Sequence, residues 1–315
     1  MSYVLLEGDL RYQPQLPPAF AKPQIIGYSG ITGGSVKSTT AVTLGVVAAL
    51  RGYRIGMIGL DLQGDMTFML GHAGHEGPTI WEVMGGEASL SDVMVPARFL
   101  DGGDDPYSTD PADWKIIPNL WIAPESEELE NAESEMRMKP MKYEADWLAT
   151  QAPLVMKEFQ LDALFVDFPA PSGLPTNNAI GSVDRIVGCT RSQLKEFRGI
   201  GRLEERIRRV RKTSPKWDRG QELTNIMIGM VPSNGNVYAE DREAIIARYG
   251  DRVLPLVPLA EIVARAYSWA TPVPILDRKH RVTKAFEEAA DAMGFPDREG
   301  VEPINLPVPT AHAQD

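Results

Sequence analysis

The apolar residues of this chain fall into short continuous runs separated by longer segments with helical spacing. Runs at 24–28, 54–60, 120–124, 161–168, 185–189, 225–231 and 253–257 are too short for globular helices. They lack polar alternation, as strands buried on both faces of a parallel sheet do. Between them, residues 41–50 read as a buried helix and 79–84 as a short amphipathic one. Residues 193–212, 240–249, 261–269 and 282–293 read as further helices. Residues 125–158 are mostly helical in pattern, with breaks near Pro140 and Pro153. Residues 101–111 mix acids with Gly102, Gly103, Pro106 and Pro111 and read as a polar surface loop. Strands alternating with helices predict an α/β fold, a doubly wound, mostly parallel sheet with helices on both faces. Residues 1–23 hold Pro14, Pro17, Pro18 and Pro23 without a period and read as an irregular arm. Residues 24–294 show no linker or repeat and read as a single domain, followed by a loose Pro-rich tail over 295–315.

Composition narrows the class. A hydrophobic content of 43% and a charged content of 24% are ordinary for a soluble globular chain. No apolar run approaches a membrane span, and residues 1–6 lack the basic start and apolar core of a signal peptide. Cys189 is the only cysteine, which excludes an intrachain disulfide and a cysteine metal cage. It reads as a small buried hydrophobe. A cytoplasmic protein is expected. The net charge of −11 argues against wholesale binding to nucleic acid, but it is uneven. Between Asp184 and Arg219 there are 12 basic residues against 5 acids, a local charge of +7, concentrated on the helix predicted over 193–212.

The chemistry sits at strand ends. Residues 27–40 read Gly-Tyr-Ser-Gly-Ile-Thr-Gly-Gly-Ser-Val-Lys-Ser-Thr-Thr, between the first strand and the buried helix. A strand, a Gly-rich turn, Lys-Ser and a helix make a phosphate-binding loop. Glycines let backbone N–H groups curl around a phosphate, and the helix N-terminus adds partial positive charge. Gly33, Gly34, Ser35, Val36, Lys37, Ser38 and Thr39 are therefore the candidate nucleotide-binding residues. Lys37 reaches for the outer phosphates, and the Ser38 hydroxyl for Mg²⁺. Asp61 follows the strand at 54–60, where ligands bind in open α/β sheets. Asp167 ends the apolar run 161–168 as a Walker B aspartate able to hold Mg²⁺ through water.

Three motifs together resemble the ParA/MinD family of dimerising ATPases, over roughly residues 24–294. The plain pattern G-x-x-x-x-G-K-[ST] fails at Ile31 and Val36. The family's deviant form, K-G-G-x-x-K-[ST], matches from Gly33 to Ser38, with Thr32 in place of its leading lysine. The segment 59–64 resembles D-x-D-P-Q-G-N, with Gly59 for the first aspartate, Asp61 for the second and Leu62 for the proline. Asp162, Asp167 and Pro169 match D-x-x-x-x-D-x-P-P. The resemblance implies that Lys37 and Asp61 are catalytic, Asp61 acting on the attacking water. It implies that Ser38, Asp61 and Asp167 hold the metal and that Asn234 and Pro258 lie at the adenine.

The resemblance further implies ATP and Mg²⁺ as cofactors, a homodimer formed on ATP, and DNA bound without sequence preference. It implies a ParB-like adaptor that stimulates hydrolysis, a nucleoid-associated location and a role in plasmid or chromosome segregation. Positioning of a protein cargo, or a weakly hydrolysing ATP-gated interaction protein, are the alternatives. Candidate DNA contacts are Arg206, Arg208, Arg209, Arg211, Lys212 and Arg265. Residues 300–315 carry only Glu302 and Asp315 as charges and no apolar face, so no membrane helix of the MinD kind is expected. Thr32 donates a hydrogen bond but no charge, which makes Lys139 and Lys142 candidates for the cation contributed to the partner's phosphates.

Overall fold

The computed structural model describes residue 20 and residues 22–30, 36–102, 105–143, 146–169, 173–191, 194–213, 218–232, 239–306 and 308–309, with the side chains of 194–197 excepted. Seven strands form one sheet: β1 (Gln24–Ser29), β2 (Ile55–Gly59), β3 (Val95–Leu100), β4 (Trp114–Ala123), β5 (Ala163–Asp167), β6 (Arg185–Arg191) and β7 (Glu222–Gly229). Their order is β3-β4-β2-β5-β1-β6-β7. Every pairing is parallel except β3 with β4. The doubly wound parallel sheet expected from the strand–helix alternation is the observed fold.

The core strands sort their side chains by the two-residue period of a pleated strand. In β5, Ala163 and Phe165 enter one apolar cluster, while Leu164 and Val166 enter the other. In β2, Ile55 and Met57 face the first cluster and Ile58 the second. Helix α1 (Val36–Leu50) covers the first face with α12 (Arg281–Ala292) beside it. Between β2 and β3 lie α2 (Asp65–Met69), α3 (Ile80–Met84) and α4 (Leu90–Val93). The second face is covered by α6 (Trp147–Glu158), α7 (Leu174–Ser182), α8 (Leu194–Thr213) and α9 (Ala239–Tyr249), whose Leu148, Ile180, Leu203 and Ile245 are buried in it. The remaining helices are α5 (Ala132–Met138), α10 (Glu261–Ser268) and α11 (Val273–Leu276).

The structure departs from the sequence pattern in four places. Residues 95–100 pair antiparallel with 114–122 at the sheet's edge, around the polar loop. Pro96 is accommodated on this outermost strand, where no further neighbour needs its missing N–H. Residues 253–257 are not a regular strand. Isolated bridges join Val253 to Ile226 and Pro258 to Val231, because Pro255 and Pro258 lack the N–H that a continuous ladder needs. Pro153 lies inside α6 instead of ending it, while the break at Pro140 falls between α5 and α6. Toward the C-terminus the Ile304 N–H donates to Leu50 O at 2.7 Å and Arg278 donates to Ile304 O, so this part of the tail packs on the domain.

Candidate nucleotide site

The sheet's register brings β1, β2 and β5 to a common end. Tyr28 and Gly59 are both register partners of Asp167. The chain leaves β1 through Gly30, where a Cβ would stand 2.9 Å from both the Cys189 carbonyl and the Lys37 side chain. Only glycine lets the backbone pass that closely. Lys37, one residue into α1, is 3% exposed. Its Nζ donates to Asp61 Oδ2 at 2.9 Å and to Phe168 O at 3.0 Å. The Ser38 hydroxyl donates to Asp167 Oδ2. Sequence positions far apart in the chain thus meet as one polar cluster.

Asp167 is fully buried, and its Oδ1 has no hydrogen-bond partner among the described residues. Burial pushes its carboxyl up to about 6, against the pull of Lys37 and Ser38. Burial opposes the Lys37 charge, yet Asp167 and Asp61 outweigh it and hold the ammonium above the ordinary lysine range. A buried acceptor without a donor, beside a serine hydroxyl and a second carboxylate, is an oxygen donor set of the kind that suits Mg²⁺. The residues therefore fit a divalent cation held by Ser38, Asp167 and Asp61.

A cavity of about 410 Å³ opens beside this cluster, lined by Val36, Ser38, Thr39, Met230, Pro258 and Tyr267 among others. Its size and mostly apolar wall with a few polar groups suit a small-molecule ligand. Thr39 and Pro258 were expected at the nucleotide and both line it. Thr32, Gly33, Gly34, Ser35 and Asn234 lie outside the described residues. Asp162 sits at the opposite end of β5 from Asp167, where its Oδ2 accepts from the Arg54 N–H at 2.9 Å.

The sequence pattern did not single out Glu125, just beyond β4. It is 7% exposed, and burial pushes its carboxyl up to about 8, with Asp167 and Asp61 adding to the rise. The only sequence signal was an acid immediately after a predicted strand.

The basic candidates divide. Arg206 is engaged: Nε donates to Asn177 Oδ1 at 2.9 Å and Nη2 to Gly173 O at 3.0 Å, and burial lowers its pKa with Arg209 nearby. Arg211 pairs with Asp218 at 2.8 Å, and Arg265 with Glu261 at 3.4 Å. Arg208, Arg209 and Lys212 are exposed on α8, Arg209 with Glu205 at 3.4 Å. Lys139 pairs with Glu135 at 2.7 Å and Lys142 with Glu87 at 2.6 Å. No helix among the described residues is long and apolar enough to cross a membrane.

Residues 26–273 match the family model for the CobQ/CobB/MinD/ParA nucleotide binding domain. The chromosome partitioning protein ParA of Caulobacter vibrioides is 22% identical over 270 residues, covering 85% of this chain and 92% of that protein. The fold is similar to that of a Cyanothece McdA variant in complex with ATP, with a TM-score of 0.70 and 19% identity over 89% of this chain and 99% of that one. It is also similar to cobyrinic acid a,c-diamide synthase from Mycobacterium smegmatis with bound ADP and magnesium, at a TM-score of 0.66 and 21% identity, covering 86% of this chain and 94% of the other.

Proposed function

Because this chain belongs to the CobQ/CobB/MinD/ParA family of nucleotide-binding domains, we propose that it is an ATP hydrolase of the ParA kind. It dimerises on ATP, binds DNA without sequence preference and segregates a plasmid or chromosome with a ParB-like adaptor. The observation that carries this reading is the cluster of Lys37, Ser38, Asp61 and Asp167 at the sheet's end, beside a cavity of about 410 Å³. The chromosome partitioning protein ParA and the chromosome-partitioning ATPase Soj among its relatives support it.

ATP and Mg²⁺ are the cofactors. Ser38, Asp61 and Asp167 hold the metal, which when bound neutralises charge on the phosphate oxygens. Lys37 now donates to Asp61. When Lys37 turns its N–H to a phosphate oxygen, Asp61 is left as a free carboxylate able to orient a water and accept its proton. Phosphoryl transfer asks mainly for positioning and charge neutralisation. With Thr32 in the place of a cation, basal hydrolysis is slow and rises only with a partner. Arg208, Arg209 and Lys212 are exposed cations of α8 available to DNA phosphates, and the protein is nucleoid-associated in the cell.

One observation favours a second reading, positioning of a protein cargo by the same cycle. Arg206 is held by Asn177 and Gly173, and Arg209, Arg211 and Arg265 each pair with a nearby acid, which leaves a small surface for DNA. The test is ATP hydrolysis measured with and without DNA and the product of the adjacent gene. Stimulation by both supports segregation. Stimulation by a partner that binds no DNA supports the second reading, and no hydrolysis under any condition refutes both.

A further inference from the structure

Gly59 ends β2 as the register partner of Asp167, at the position where the motif this segment resembles carries an aspartate. A Cβ built on Gly59 would stand 2.0 Å from Glu125 Oε1, 2.1 Å from its Cδ and 2.4 Å from its Cγ. The outer half of the Glu125 side chain therefore fills the volume that a side chain at 59 would take. Glu125 arrives there from the neighbouring strand, since β4 pairs with β2 up to Ile58 and Ala123. Its position is fixed by Thr67 on α2. Oε2 accepts from the Thr67 N–H at 2.9 Å and from Thr67 Oγ1 at 3.0 Å, and the Glu125 N–H donates to Thr67 Oγ1 at 2.7 Å. Oε1 is buried and has no partner among the described residues.

We propose that Glu125 supplies the acid that Gly59 lacks, completing the negative side of the metal–nucleotide site from β4. This rests on the reading of the site as one for Mg²⁺ and ATP. Two buried acceptor oxygens without donors among the described residues, Asp167 Oδ1 and Glu125 Oε1, belong to residues packed around Gly59. Lys37 is the cation bonded within this group, to Asp61. A tether to Thr67 alone would be served as well by glutamine, whose amide oxygen accepts the same two hydrogen bonds without the cost of burying an ionisable group. The upward displacement of the Glu125 carboxyl to about 8 is a measure of that cost. A divalent cation nearby removes it by stabilising the ionised form. Glu125 acts here as a positioning residue through the field it adds beside Asp167 and Asp61, and not as a ligand.

The experiment uses the full chain and a fluorescent ATP analogue, titrated with Mg²⁺, with melting temperatures measured in the absence of Mg²⁺. Glu125→Gln keeps the Thr67 hydrogen bonds and removes the charge. It is expected to raise the Mg²⁺ concentration for half-maximal ATP binding about 10-fold or more, as loss of an outer partner of a metal site does, while the melting temperature is kept or raised. Gly59→Asp alone lowers the melting temperature, because the new side chain collides with Glu125. Gly59→Asp combined with Glu125→Ala relieves the collision, returns the acid from β2 and brings the Mg²⁺ requirement back toward wild type. Glu125→Gln with the wild-type Mg²⁺ requirement overturns the assignment, and so does a double variant no better than Glu125→Ala. Wild-type protein whose ATP binding ignores Mg²⁺ overturns the proposed function itself, and this assignment with it.

Discussion

Replacing Lys37 with alanine removes the cation bonded to Asp61 and closest in charge to Asp167. The side chain is 4% exposed and lies 2.9 Å from Asp61 Oδ2. Removing one partner of a buried ion pair costs about 3–5 kcal/mol, because the other charge is left uncompensated. Asp61 is 18% exposed and recovers part of its hydration, but Asp167 is fully buried and cannot. With Lys37 in place the Asp167 carboxyl is already raised to about 6 from the ordinary 3.8, a cost of about 3 kcal/mol above pH 6. Without Lys37 it rises further. A folded-state pKa above the unfolded one gives stability that is fully present below the unfolded value and lost as pH rises through the folded value. The unfolding free energies of wild type and Lys37→Ala should therefore lie closest near pH 5 and separate toward pH 8. Urea denaturation without nucleotide at pH 5, 6.5 and 8 measures the separation, and calorimetry with ATP shows binding lost in the variant at each pH. A stability difference that is constant across this range would refute the electrostatic account. Retained micromolar ATP affinity would refute the phosphate-loop assignment.

Asp61→Ala should still bind ATP but hydrolyse it about 10²–10⁴-fold more slowly, the contribution of a general base. Unchanged turnover in a coupled phosphate-release assay would make it a turn residue. Arg208→Glu with Arg209→Glu should abolish an ATP-dependent, salt-sensitive and sequence-independent retention of DNA on filters, and an unchanged titration would remove α8 from the DNA surface. Lys139→Ala and Lys142→Ala test the missing lysine at Thr32, since a cation that reaches the partner's phosphates should lower hydrolysis when lost. Normal hydrolysis by both variants ends that idea.

What the sequence disclosed followed from how many constraints each segment carries. Residues 54–60 and 161–168 lie inside the sheet with both faces covered, so each position is apolar and the run is visible without its neighbours. The edge strand β3 has Val95, Pro96 and Arg98 partly exposed, and its mixed polarity resembles that of a loop. Lys37, Ser38, Asp61 and Asp167 were legible because phosphate and metal chemistry fix residue type at strand ends. Glu125 was not, because its meaning depends on a side chain that Gly59 lacks on an adjacent strand. The basic helix shows the same limit and also a way past it. A charge count treats its cations alike, but Ile200, Leu203, Ile207 and Val210 recur at three- and four-residue spacing and are buried. Arg206 flanks that stripe, so its stem is carried toward the body of the protein, where its guanidinium meets Gly173 and Asn177 at the start of α7. Arg198, Arg202, Arg208, Arg209 and Lys212 fall on the other side of the helix and are exposed. Among the described side chains, any phosphate-binding face of α8 must draw on these five, while Arg206 joins that helix to the segment following the Walker B strand.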